Sequence, residues 1–417
     1  MTEKNIPVPK EQLRDIAAAY GTPFHLYLEA PMRANARALN AAFSWAPDFK
    51  EHFAVKALPN PYILKILHEE GLGTDCSSLS ELVLTEKAGI IGEEIFFSSN
   101  NTPAEEYLKA LRLGAVLNLD DASHLPFLEQ LAPLPPVLSF RYNPGYLREG
   151  GNEIIGFPKE AKFGMTAPQI LQALAYCHNK GVKRLGLHTM VISNELNGGF
   201  FVETAIIMFE LAVAVKRQLG IDLEFLNFGG GIGIPYRPEE KAVDLNWLGQ
   251  QIACEYERIL KPAGLDKLGL HLECGRVISG PYGYLVATAL HYKDTYRKYI
   301  GLDACMADLM RPALYGAYHH ITVVGKENAP LDHVYDVTGS LCENNDKFAI
   351  DRALPLIEPG DLLVLHDTGA HGHAMGFNYN GRLRSKELLL REDGAVELIR
   401  RAETLDDYFA TLDFSGL

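Results

Sequence analysis

The chain has little positive charge. Over 417 residues, 39 lysines and arginines stand against 53 aspartates and glutamates, a formal net charge of -14. No Lys/Arg-rich block offsets this, which excludes a nucleic-acid surface and leaves any anionic ligand to be held by a local site. Cysteine is sparse as well. Cys76, Cys177, Cys254, Cys274, Cys305 and Cys342 form no C-x-x-C pair and no dense framework, a usage that suits reduced thiols in a cytoplasm. Met1-Thr2-Glu3-Lys4-Asn5 lacks an apolar signal core, and no apolar run reads as long enough to span a membrane. Both absences lead to the expectation of a cytoplasmic protein with no membrane partner. Internal repeats and low-complexity tracts are missing too, which excludes solenoids and disordered arrays.

What is present is an apolar fraction of 47% with 22% charged residues, ordinary for a globular chain, in a length that exceeds one usual core. From Pro31 onward, strand-like apolar runs recur at 51–56, 72–76, 95–98, 115–119, 137–142, 184–189, 223–228 and 268–273. Amphipathic helix candidates such as 80–88, 103–113, 203–219 and 245–260 lie between them. None of the runs alternates apolar with polar residues as an exposed sheet would. A parallel (β/α)8 TIM barrel is therefore predicted over 31–284, with a doubly wound open sheet as the alternative. Short strands at 285–291, 321–324, 333–337, 362–365, 386–390 and 396–399 predict an all-β domain over 285–417. The orphan strand at 22–28 assigns residues 1–30 to that same domain.

Barrels gather their chemistry at the C-terminal ends of the strands. Here those ends carry Lys56, Asp75, Arg141, His188, Gly229-Gly230-Gly231 and Glu273. Lys56 closes the apolar run Phe53-Ala54-Val55, where desolvation would favour a neutral, nucleophilic amine; alone it reads more readily as a surface lysine just past a strand. The glycine run lets backbone N–H groups approach an anion, although a tight turn would use the same residues. It lacks the third glycine of a dinucleotide fingerprint. Glu273 and Arg276 would make a simple ion pair, but beside a phosphate site the acid can keep a pyridine nitrogen protonated and the arginine can bind a carboxylate or phosphate. A lysine, an anion cradle and an acid are the parts that pyridoxal phosphate requires.

These residues extend into longer motifs: Phe53-Ala54-Val55-Lys56-Ala57, Asp75-Cys76-Ser77-Ser78-Leu79-Ser80-Glu81-Leu82, Gly229-Gly230-Gly231-Ile232-Gly233-Ile234-Pro235-Tyr236 and Glu273-Cys274-Gly275-Arg276. Arg311-Pro312-Ala313-Leu314-Tyr315, Cys342-Glu343 and Asn378-Tyr379-Asn380 follow. In this order the chain resembles the fold-type III decarboxylases of basic amino acids, the ornithine, diaminopimelate and arginine decarboxylase family, and among them most closely those acting on diaminopimelate. The resemblance implies pyridoxal 5'-phosphate as cofactor, linked to Lys56, with Glu273 at the ring nitrogen. Asp75, Arg141, Met190, Ser193, Gly230, Gly231, Gly275, Arg276 and Tyr379 complete the cofactor-binding set it implies. Cys342 becomes the proton donor to the carbon that loses carbon dioxide. Arg276, Arg311, Tyr315 and Tyr379 become substrate contacts, and Glu343 meets the far ammonium. The implied reaction is the decarboxylation of meso-diaminopimelate to lysine by a homodimer with shared active sites. A plain diamino acid such as ornithine or lysine would leave Arg311 without a carboxylate to bind.

Two departures from the family pattern are visible. Its H-x-H-x-G-S loop is here His188-Thr189-Met190-Val191-Ile192-Ser193, so Met190 stands where a histidine usually covers the ring, and its sulfur can cover an aromatic ring without hydrogen bonding. His371 replaces a tyrosine in Gly369-Ala370-His371-Gly372-His373. With His366 these histidines suggest a metal, but no cysteine–carboxylate set accompanies them and none is expected. His188 alone reads as a core histidine. The altered loop keeps open another ω-carboxylated diamino acid or a carboxylated polyamine as substrate. A homologue without catalysis, or a metal-dependent hydrolase, would leave Lys56 and Cys342, or Lys56 and the glycines, unexplained.

Overall fold

The structure, a computed structural model, describes residues 4–145 and 159–417. It divides into two compact units. One comprises Arg33–Ile234 and Ala242–Ile278; the other comprises the chain up to Met32, Pro235–Lys241 and Ser279–Leu417.

After a helix at Lys10–Tyr20, the first strand, β1 (Phe24–Leu28), joins the second unit. The next eight build the first unit: β2 (Lys50–Ala54), β3 (Gly73–Cys76), β4 (Ile95–Ser99), β5 (Val116–Leu119), β6 (Val137–Arg141), β7 (Arg184–His188), β8 (Phe225–Asn227) and β9 (Gly269–Leu272). Each pairs in parallel with its neighbour, and β9 returns to β2 through Lys50↔His271 and Glu51↔Leu272, closing the barrel predicted from the sequence. The strands lack a solvent-facing polar side because the barrel buries both faces, and even polar members such as Glu51, His52 and Ser139 are buried. Its interior is packed by aromatic rings. Phe225 stacks on His271 at 4.4 Å, His271 lies 5.2 Å from His52, and a side chain on Gly186 would collide with Phe225. Burial lowers the His52 pKa to about 4 and that of His271 well below its usual value, so both imidazoles fill the core as neutral rings.

One expectation is corrected. Among the described residues, the helix Gly198–Leu219 is long and apolar enough to cross a membrane by length and composition, an 18-residue stretch of it having mean hydropathy 1.8. Asn197 caps it by accepting from the Gly199 N–H, which starts the helix five residues before the predicted 203 and adds Phe200, Phe201 and Val202 to the apolar run. Its Thr204, Ala205, Met208, Phe209, Ala212 and Val215 are buried, and Phe209 packs edge-on against Phe228 and Tyr256, as in the helix ring of a barrel.

In the second unit β10 (Gly283–Asp294) is central. Its first half pairs antiparallel with β1 and with β15 (Leu362–Leu365); beyond a bulge between Ala289 and His291, its second half pairs with β11 (Lys298–Leu302). β12 (Ile321–Val323) lies beside β15, and β13 (His333–Thr338) joins β11 to β14 (Lys347–Leu354). β16 (Lys386–Leu390) runs parallel to β1 and antiparallel to β17 (Val396–Arg400). The orphan strand near the N-terminus thus completes a sheet whose other members come more than 250 residues later in the chain.

Candidate active site

Strand β2 ends at Ala54, so Lys56 falls in a 3-10 turn, Val55–Ala57, rather than on the strand. Val55 and Ala57 point into the core and Lys56 is exposed. The desolvation suggested by the apolar run is therefore not found, because the turn rotates the lysine outward at the barrel mouth. Asp75 on β3 is buried, and burial together with the nearby Glu273 charge pushes its carboxyl well above the usual range. The Lys56 and Arg141 charges oppose that shift, which puts all four groups within electrostatic reach of one another.

Glu273 follows β9 and is the most closely supported group of the site. His188 Nε2 lies 3.1 Å from Oε2, and Asn227 Nδ2 donates to Oε1 at 2.7 Å. Burial by itself would raise this carboxyl. Burial is the largest single influence, but the charge and hydrogen bond of His188, with the Lys56 and His52 charges, together hold the acid below its ordinary value. His188, read from sequence as a core histidine, is thus buried and also tied to the acid. Asn227 works at both ends, since its Oδ1 accepts from Gly229 N–H at 2.8 Å. One amide side chain fixes the acid and the start of the glycine turn together.

That turn cannot carry side chains. Gly229 and Gly231 have φ of 66° and 100°, and a Cβ on Gly230 would lie 2.3 Å from the Glu273 carbonyl oxygen. Met190 sits on the turn, its sulfur 3.2 Å from Gly230 N. Ser193 is half-buried in the segment that runs beside the glycines, where Glu195 N–H donates to Gly231 O. Gly275 packs where a Cβ would meet that of Ala57 at 2.7 Å, and the following Arg276 is buried at the start of a one-turn helix. Arg141 ends β6, with its guanidinium 4.4 Å from the Phe163 ring and bonded to Asp120 at 3.3 Å. Asp120 and Asn227 were missed in the sequence. Asp120 directly follows β5, so the rule that selected Asp75 would have found it.

In the second unit Arg311 and Tyr315 open and close a five-residue helix, with Arg311 buried and Tyr315 half-buried. The Arg311 guanidinium lies 4.8 Å over the Tyr236 ring. Cys342, Glu343 and Tyr379 are exposed, and the two loops that carry them meet where Cys342 N–H donates to Asn380 Oδ1 at 2.7 Å. The histidines separate. His366 Nε2 bonds Thr322 Oγ1, His373 Nε2 bonds Ser385 O, and His371 adopts φ 56°. Among the described residues no group of three or more His, Cys, Asp or Glu is arranged to hold a metal.

The barrel's donor set fits pyridoxal phosphate. An exposed lysine can hold the cofactor, an acid kept charged can pair with the ring nitrogen, and side-chain-free amides can approach a phosphate. Comparison with known proteins agrees with this class. The family model for the pyridoxal binding domain of pyridoxal-dependent decarboxylases matches residues 30–280. Protein TabA of Pseudomonas amygdali pv. tabaci is 45% identical over 95% of this chain and 92% of its own. A diaminopimelate decarboxylase of Methanothermobacter thermautotrophicus is 35% identical over 94% of this chain and 92% of its own. The crystal structure of diaminopimelate decarboxylase from M. jannaschii in complex with L-lysine superposes with a TM-score of 0.88 at 29% identity, covering 96% of this chain and 94% of that one. The chain belongs to the pyridoxal-dependent decarboxylase family: it is an enzyme that takes pyridoxal phosphate and releases a carboxylate as carbon dioxide.

Proposed function

We propose that the substrate is meso-diaminopimelate and the product L-lysine. The observation that carries this is Arg311, a buried arginine in the β unit whose guanidinium plane is set against Tyr236. A substrate with amino-acid groups at both ends needs a planar cationic receptor away from the reacting carbon, and a plain diamino acid does not. The solved diaminopimelate decarboxylase in complex with L-lysine supports the same class.

When bound, pyridoxal phosphate supplies an electron sink for the pair left behind as the carboxylate departs. Lys56 Nζ holds the cofactor until substrate arrives. Glu273, kept charged by His188, holds a proton at the ring nitrogen, which strengthens that sink. Gly231 N–H, with Gly230 (once its N–H is released from the Met190 sulfur), Gly275, Arg276, Ser193 and the Tyr379 hydroxyl, would hold the phosphate, and Asp75, Arg141 and Met190 would line the cofactor site. Arg311 and Tyr315 orient the far carboxylate, Glu343 the far ammonium, and Cys342 Sγ delivers a proton to the α-carbon. Cys342 and Glu343 come from a second copy of the chain in this reading.

A second reading keeps the reaction and changes the substrate to another ω-carboxylated diamino acid. It is favoured by Met190 and Ile192 in the β7 loop and by the higher identity to TabA than to the diaminopimelate enzymes. Carbon dioxide release from diaminopimelate, lysine, ornithine and longer diamino diacids separates the two, with Arg311→Lys alongside. That variant keeps the charge and loses the fork, so kcat/KM for diaminopimelate should fall about 100-fold, or about 2.7 kcal/mol. Unchanged kinetics, or faster wild-type turnover of lysine or ornithine, would reject diaminopimelate.

A further inference from the structure

The Arg311 guanidinium is oriented by a residue that has no role in the reading above. The helix Arg311–Tyr315 ends at Gly316 with φ 60°, and the chain doubles back through Ala317, whose N–H lies 3.4 Å from the Arg311 carbonyl. His319 thereby returns beside Arg311, fully buried. Its Nδ1 lies 2.8 Å from the His366 carbonyl oxygen. A carbonyl can only accept, so Nδ1 carries the hydrogen and Nε2 keeps its lone pair. Arg311 Nε–H donates to that lone pair at 3.4 Å. The distance is long for a hydrogen bond, so the contact contributes direction more than energy.

Both ends of this relay are anchored. His366 N–H donates to His320 O at 2.9 Å, in register with the β12–β15 ladder, which fixes the carbonyl that sets the tautomer. Arg352 Nη1 donates to His319 O at 2.9 Å, which holds the backbone of the histidine. Tyr236 forms a common wall: its ring is 5.1 Å from that of His319 at 72°, and it also lies beneath the guanidinium. An arginine has four rotatable bonds in its stem, and bidentate recognition works only if the fork is held before the carboxylate arrives.

We propose that His319 is a positioning residue that fixes the Arg311 fork through its Nε2 lone pair and so sets the selectivity for substrates bearing a second carboxylate. The proposal deepens the reading of Arg311 as the far-carboxylate receptor and rests on it. His319 itself touches no substrate.

The test uses holoenzyme with diaminopimelate as substrate and two competitive inhibitors. Pimelate offers carboxylates without amines, and cadaverine offers amines without carboxylates. In His319→Leu the KM for diaminopimelate and the Ki for pimelate should rise about 10-fold or more, while kcat and the Ki for cadaverine stay within about twofold. His319→Gln, whose amide oxygen can accept from Arg311 Nε–H and whose NH2 can donate, should recover most of the loss. Equal losses for pimelate and cadaverine in His319→Leu, or unchanged KM in both variants at unchanged melting temperature, would overturn the role. If the leucine variant does not fold, a glutamine variant with a cadaverine loss equal to its pimelate loss overturns it as well. Arg311→Lys is measured in parallel to separate the two ideas. Loss of the pimelate effect there too sinks the reading of Arg311. A pimelate effect in Arg311→Lys with none in His319→Leu sinks only the role of His319.

Discussion

In the proposed reading two residues decide whether the barrel mouth can run its chemistry, and both can be tested singly. Lys56→Ala removes the amine proposed to hold the cofactor. Purified variant should lose the visible absorbance of lysine-bound pyridoxal phosphate and its activity together, and full turnover with added cofactor would reject the assignment. Glu273 is subtler, because burial and its partners pull in opposite directions. Its folded pKa lies below the unfolded one. It therefore contributes stability that is complete above the ordinary Glu range, about 4.3, and is lost as pH falls through the folded value. His188→Leu removes the main group opposing burial, so the carboxyl should rise. The acid limb of the kcat–pH profile should move to higher pH, since a protonated acid no longer stabilises a charged ring nitrogen. A limb that stays in place would mean that His188 does not support Glu273. At this scale residue types were legible in the sequence and environments were not. The apolar run before Lys56 suggested burial, yet one 3-10 turn puts the lysine into solvent.

At the scale of elements, the turn after β8 is the least forgiving segment. Gly230→Ala places a Cβ 2.3 Å from the Glu273 carbonyl oxygen and 3.0 Å from its carbon, so the main chain of one strand end must move. A loss of about 2–3 kcal/mol is expected, with faster cofactor loss on dialysis because Glu273 shifts. Gly220→Ala is the control. Its φ is positive, 67°, which Gly230's is not, but nothing lies within 4 Å of the added Cβ, so it should cost about 1 kcal/mol through backbone strain and leave cofactor retention alone. Equal cofactor loss in both variants would mean that general destabilisation rather than crowding at Glu273 releases the cofactor. Most barrel strands were readable because they carry short apolar stretches, as in Ile95-Phe96-Phe97 and Val137-Leu138, at regular intervals between amphipathic helices. β11 and β14 escaped for local reasons. Gly301 dilutes the strand signal in β11, while Asp351 with φ 48° and shifted pairing against β13 breaks the alternation in β14. Asp120 sits outside the longer motifs, so only its place directly after β5 marks it. The pairing of β1 with β16 is long-range, so only an unpartnered strand near residue 25 could be read from local pattern.

At the scale of the whole molecule, the proposed chemistry needs Lys56 of the barrel unit and Cys342 of the β unit, and the proposal assigns them to different copies of the chain. Cys342 and Glu343 are exposed on a loop held to Asn380, as groups offered to a second subunit would be. A closed two-fold contact would generate two identical composite sites, each with one residue from either side. Lys56→Ala and Cys342→Ala homodimers should then each be nearly inactive. After dissociation and mixing in equal amounts, about half of the reassociated dimers are mixed, and each mixed dimer has one site with both residues intact. Recovery to about a quarter of wild-type activity is therefore expected, because one site in two works in about one dimer of two. Native mass spectrometry reports subunit exchange independently of turnover. Exchange without recovered activity would place both residues in one chain, and the reading of shared sites would be abandoned.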